Sequence, residues 1–156
     1  MCEVELSSAV GADYTLLRDL LAAGKWKEAD DETRLVMLKV ADRESIGWLN
    51  EDSLNKFPCT DLRTVDQLWV SYSQGRFGFS VQKCIYEEVG RDWEKMGDRV
   101  GWRNGKKWLS LSDIAYNIDA PIGHLPGAGV WVTSLVWGLW SKSAENFYSR
   151  VEICKL

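Results

Sequence analysis

Leu16, Leu17, Leu20 and Leu21 recur at the three-and-four spacing of an amphipathic helix. Asp13 stands before them as an N-cap and Gly24 after them as a C-cap glycine. A second helix follows at once, with Trp26, Ala29, Val36, Met37 and Val40 on its apolar side. Its acids Glu28, Asp30, Asp31 and Glu32 fall in the early turns, where the helix dipole favours them. The pair does not recur after about 34 residues, so this is not a tetratricopeptide array. Ala41 to Asn55 is mixed and polar and reads as a loop or short turns, with Trp48 and Leu49 its apolar members.

Phe57-Pro58 leads into a third helix near Asp61, with Leu62, Val65, Leu68, Trp69 and Tyr72 on one stripe. Gly75 and Gly78 bracket a turn. A fourth helix starts near Ser80, carries Val81, Ile85 and Val89, and closes at Gly90. A fifth fits Asp92 to Val100, with Trp93, Met96 and Val100 on one side. Asn104-Gly105 is a type I′ turn signal, which predicts a short β-ribbon over 102–108. Pro121 and Pro126 bound an irregular, fixed stretch. Phe147 to Leu156 reads as a last short helix or an extended segment. Residues 1–12 show no period and read as a flexible N-terminus, leaving 13–156 as one domain. The expected fold is all-α: a single helical domain with a concave apolar ligand face and one short ribbon.

Composition narrows the function. The chain has 156 residues, 46% of them hydrophobic and 27% charged, a globular balance. The net charge of −4 disfavours binding to nucleic acid or to anionic membrane. The uncharged stretch Ala120 to Ser141 carries prolines and glycines that argue against a spanning helix, so membrane contact is at most peripheral. Cys2, Cys59, Cys84 and Cys154 form no CxxC, which argues against a zinc site. With no signal peptide at Met1 to Leu6, they read as reduced thiols of a cytoplasmic protein.

The unusual component is tryptophan: nine residues, five of them from Trp102 onward. Indole supplies broad, flat apolar area with one N–H group. Most serve a core, and nine in one small domain leave some to face a flat ligand.

Catalytic machinery is not indicated. His124 is the one histidine, set between two prolines, and reads as a loop-fixing imidazole before a ligand contact or axial ligand. No phosphate-cradling glycine loop occurs. The acidic pairs Asp30-Asp31, Glu51-Asp52 and Glu87-Glu88 read as solvated surface. Cys84 reads as a small buried hydrophobe, or as a thiol that adds to a bilin vinyl group. Cys59 follows Pro58 at a helix entrance, where a thiolate is stabilised.

Five stretches, in order, carry a family likeness: Leu21-Ala-Ala-Gly-Lys-Trp-Lys-Glu-Ala-Asp30, Phe57-Pro-Cys-Thr-Asp-Leu62, Gly78-Phe-Ser-Val-Gln-Lys83, Asp98-Arg-Val-Gly-Trp102 and Ala120-Pro-Ile-Gly-His-Leu-Pro126. Together they resemble the genomes-uncoupled family of porphyrin-binding, magnesium-chelatase-regulating proteins of oxygenic phototrophs. The resemblance implies an all-α domain with a greasy concave face framed by two loops. Its implied ligands are protoporphyrin IX, magnesium protoporphyrin IX or a bilin, with no cofactor required. The implied role is that of a non-catalytic carrier or regulator in chlorophyll or tetrapyrrole biosynthesis, a monomer with a magnesium chelatase subunit as partner. The implied compartment is a cyanobacterial-type cytosol, or the plastid stroma for a plastid-encoded chain.

Mapped onto this chain, the framing loops are Ala41 to Asn55 and the segment from Gly127 onward. The ligand-binding residues become Trp48, Phe77, Phe79, Trp102, Arg103, Trp108, Leu111, Ile114, Tyr116 and Trp131. The chain departs from the family at Leu111 and Ile114, where members carry Trp and Phe. The loop after Pro126 also lacks the expected arginines. Anion partners then come from Arg103, Lys106, Lys107 or Arg150. The extra N-terminal helical domain of cyanobacterial members is expected to be absent. An alternative keeps the fold but makes the chain a divergent sensor or protein-interaction module without porphyrin binding.

Overall fold

A computed structural model of the chain describes residues 3–127 and 141–156, so Cys2, Trp131, Trp137 and Trp140 lie outside it. Among the described residues, seven α-helices and one two-stranded ribbon form an all-α fold.

Local chemistry places the helix ends. Asp13 accepts the Thr15 N–H at 2.9 Å and opens α1 (Thr15–Ala22). A turn through Gly24 leads to α2 (Trp26–Val40), which packs on α1. The polar stretch after α2 ends in α3 (Glu51–Asn55), a helix too short to show a period; Asn50 caps it by accepting the Ser53 N–H. Pro58, extended and unable to donate, precedes α4 (Cys59–Tyr72).

The start of α5 (Phe79–Glu88) is set from a distance. Ser80 is not its cap. The carboxylate of Asp66 on α4 accepts the Ser80 N–H at 2.8 Å. Gly78 is required there, since a Cβ would lie 2.7 Å from Val70 and 2.9 Å from Asp66. Burial pushes the Asp66 carboxyl above its ordinary range, and the Ser80 bonds oppose that rise. Asp92 caps α6 (Trp93–Val100) through Lys95 N–H.

The ribbon pairs β1 (Arg103–Asn104) with β2 (Lys107–Trp108). Its turn sits one residue later than the Asn-Gly signal predicts. Gly105 and Lys106 are the central residues, both with positive φ, as a type I′ turn requires. A 3₁₀ turn (Leu111–Asp113) follows, and the C-terminal stretch is a helix, α7 (Ser141–Ile153), packed on α3 and α5.

The core is one cluster with aromatic contacts at its heart. Trp69, fully buried, lies against Trp26 and Phe77 with ring centroids 6.0 and 6.4 Å away, and its indole N–H donates to Thr33. Phe79 meets Phe147 of α7 edge-on at 4.9 Å. The first residues have no regular structure, yet they are tied to α4. Asp61 accepts the Ala9 N–H, the Ser8 hydroxyl and the Tyr14 hydroxyl, and Thr64 donates to the Ser7 carbonyl.

The cysteines depart from the sequence reading of four reduced thiols. Cys59 at the start of α4 is disulfide-bonded to Cys154 just past α7, across 95 positions. The pairing exists because α7 lays its end against the α3–α4 junction. There Arg150 donates twice to the Phe57 carbonyl, at 3.0 and 2.7 Å. Compartment therefore cannot be read from reduced thiols. Cys84 is also corrected: its side chain is exposed on α5 and not buried.

Candidate functional site

Helix α2 carries two loops on one flank. Lys27, Asp30, Asp31, Arg34 and Leu35 fall on one helix face by their three-and-four spacing. Arg34 donates to the Gly47 carbonyl at 3.0 Å and holds the first loop, 41–50. Within that loop Arg43 donates to the Trp48 carbonyl and lays its guanidinium 5.5 Å from the Trp48 ring centroid. Asp30 accepts the Gly127 N–H at 3.1 Å and holds the second segment, 109–127. Lys27 sits 5.8 Å over the Tyr116 ring of that segment.

The second segment is held from behind as well. His124 is buried, and its Nε2 accepts the Ala115 N–H at 3.0 Å, so Nδ1 carries the proton and donates to the Val100 carbonyl at 2.7 Å. Burial lowers the His124 pKa, against the raising effect of the Val100 carbonyl. Gln82 donates to the Gly123 and Pro126 carbonyls at 3.1 and 2.8 Å. Arg76 donates to the Ile118 and Ala120 carbonyls at 2.9 and 2.7 Å. Burial first, then Asp30 and Asp31, pushes the Tyr116 hydroxyl up to about 12.

Large apolar side chains are exposed along this frame: Leu35 on α2 at 54%, Ile46 and Trp48 on the first loop at 51% and 40%, Ile118 and Ile122 on the second at 38% and 51%. Exposed apolar side chains on a helix and on loops tied to it are candidates for contact with a ligand or partner.

The expected site residues divide. Trp48 lies on the first framing loop and Tyr116 on the segment 109–127, while the second framing loop expected from Gly127 onward falls outside the described residues over 128–140. Phe77, Phe79 and Trp102 are fully buried in this structure. Phe77 is closed in by Trp26 and Trp69, Phe79 by Phe147, and Trp102 by Trp93, with its indole N–H on the His124 carbonyl. Ile114 is buried too. Trp108 stacks on Trp93 at 5.3 Å and 19°, on the ribbon and not at the α2 flank. Arg103 pairs with Asp98 at 3.1 Å and Glu94 at 3.5 Å. Arg150 donates to the Phe57 carbonyl at the α3–α4 junction. Leu111 lies in the 3₁₀ turn, and Trp131 falls outside the described residues.

Sequence reasoning missed Asp30, Arg34, Arg76 and Gln82, the residues that hold the frame. Asp30 in particular is buried and not solvated surface as expected of the Asp30-Asp31 pair. No helix among the described residues is long and apolar enough to cross a membrane.

A family model described as GUN4-like matches residues 7–145. The chain belongs to the GUN4-like family. It is 35% identical to a Ycf53-like protein of Synechocystis over 78% of this chain and 53% of that protein. A chloroplastic tetrapyrrole-binding protein of Arabidopsis thaliana is 28% identical over 72% of this chain and 47% of its own length. The chain thus spans about half the length of the curated relatives it matches. The structure of GUN4 from Chlamydomonas reinhardtii superposes with a TM-score of 0.77 at 33% identity, covering 99% of this chain and 97% of that one. This GUN4-like chain therefore shares that helical fold over nearly its whole length.

Proposed function

We propose that this GUN4-like chain binds a tetrapyrrole on the outer flank of α2, between the loops 41–50 and 109–127. The observation that carries the reading is the exposed apolar set Leu35, Ile46, Trp48 and Ile118, on a helix and two loops that Arg34 and Asp30 tie together. A tetrapyrrole is a flat apolar disc with carboxylates on its edge. Indole and aliphatic side chains cover its faces. Arg34 and Arg43 each spend part of a five-donor guanidinium on a backbone carbonyl and keep N–H groups for a carboxylate. That the Arabidopsis relative is a tetrapyrrole-binding protein supports the ligand class.

The ligand is protoporphyrin IX, its magnesium form or a bilin. The chain acts as a monomeric, non-catalytic carrier or regulator in tetrapyrrole biosynthesis, with a magnesium chelatase subunit as partner, in the cytosol of a cyanobacterium or the stroma of a plastid. Titration of the purified chain with deuteroporphyrin IX, followed by tryptophan fluorescence, tests the reading. Saturable quenching at micromolar ligand is expected; a linear, unsaturable response contradicts it.

A further inference from the structure

We propose that the Cys59–Cys154 disulfide is a redox-modification site, reduced by a protein dithiol, and that its reduction loosens α7 from the rest of the fold. The inference does not depend on tetrapyrrole binding.

Three observations carry it. First, the bond joins the start of α4 to the end of α7 across 95 positions, so it closes most of the chain into one loop. A cross-link of that span removes much of the freedom the end of the chain would otherwise regain. Second, one half of the bond is partly open to solvent, and its sequence neighbours border hollows. Cys59 is half-buried, and the residues on either side of it line two open hollows. One, of about 320 Å³, is bordered by Phe57 and Pro58; the other, of about 230 Å³, by Thr60 and Arg63. Third, the Cys59 sulfur has surroundings suited to a thiolate. Cys59 is the first residue of a 14-residue helix, whose N-terminus favours negative charge.

The step balances as a thiol–disulfide exchange. A thiolate of the reductant attacks Cys59 Sγ, since Cys154 is buried. A mixed disulfide forms, and Cys154 leaves as a thiolate that takes a proton from solvent. The second thiol of the reductant, losing its proton, attacks its own partner sulfur and expels Cys59 as a thiolate. Two electrons pass to the chain, and the reductant leaves as a disulfide.

The purified full chain, oxidised, is treated with reduced thioredoxin in native buffer and then with a maleimide mass tag. Two more tagged sites are expected than without thioredoxin, mapping to Cys59 and Cys154. The exposed Cys84 is tagged in both states. Amide hydrogen exchange on the same samples should quicken in α7 by at least about tenfold, the low end of what such a tether contributes, with α2 unchanged. The Cys59→Ser/Cys154→Ser variant should show the fast α7 exchange without thioredoxin. If it does not fold, the wild-type comparison stands alone. The proposal is overturned by any of three results: tagging of Cys59 and Cys154 only in denaturant, reduction with α7 exchange unchanged, or exchange that quickens equally through the whole chain.

Discussion

The carboxylate of Asp30 accepts the backbone N–H of Gly127, 97 positions further along the chain, at 3.1 Å. This buried bond fastens the second loop segment to the helix that also holds the first. Asp30→Ala leaves that N–H without its acceptor and empties a closed site. A loss of about 1–3 kcal/mol in urea unfolding is expected. Faster amide exchange at 120–127 should accompany it.

His124 makes stability depend on pH. Its folded pKa lies below the ordinary value of about 6.5, because burial disfavours the charged form. A proton on Nε2 would also displace the Ala115 N–H. Between the two pKa values the unfolded chain binds the proton and the folded chain does not. The stabilisation is therefore complete above about pH 6.5 and is lost as pH falls through that value toward the folded pKa. Urea midpoints between pH 7.5 and 5.5 should fall for the wild type. His124→Gln should be less stable at pH 7.5 and show a smaller fall over that range.

Gln82 joins the second segment to α7. Its amide donates to the Gly123 and Pro126 carbonyls, and its oxygen accepts the buried Tyr148 hydroxyl at 3.1 Å. Gln82→Leu keeps the volume and strands three buried polar groups. A destabilisation of about 2–4 kcal/mol is expected by denaturant titration.

Gly97 is where α6 meets the ribbon. A Cβ there would stand 2.5 Å from the Trp108 ring and 3.2 Å from Arg103 Cβ. Gly97→Ala must push the ribbon off α6 and part the Trp93–Trp108 stack. A cost of about 1–3 kcal/mol, with a shift in tryptophan emission, is expected.

Much of the frame was legible from residue order. The periodicity of Leu17 and Leu21, of Val36 and Met37, and of Leu62, Val65, Leu68 and Trp69 marks helices whose apolar stripes are buried. The ribbon and the loop-fixing role of His124 were legible too, because Asn-Gly and Pro-bounded stretches have few backbone options. What stayed hidden depends on distant approach. Asp30 and Asp31 look alike in sequence, and the approach of the distant Gly127 helps single out the buried one. Spacing says nothing of a bond between Cys59 and Cys154. Phe77 and Trp102 resemble ligand-stacking aromatics in sequence, and spacing says nothing of the rings of Trp26, Trp69 and Trp93 that pack against them in the fold.

Where the ligand sits is the central claim. Deuteroporphyrin IX titrations of the wild type, Leu35→Glu on the α2 flank and Ile153→Glu on α7 decide it, both positions being exposed apolar residues in the folded chain. Leu35→Glu should raise the dissociation constant by roughly tenfold or more, since it replaces apolar contact area with a charge facing an apolar disc. Ile153→Glu should leave the dissociation constant within about twofold of the wild type, as surface changes away from a site do. Wild-type affinity in Leu35→Glu, with both variants folded, contradicts a tetrapyrrole site on this flank.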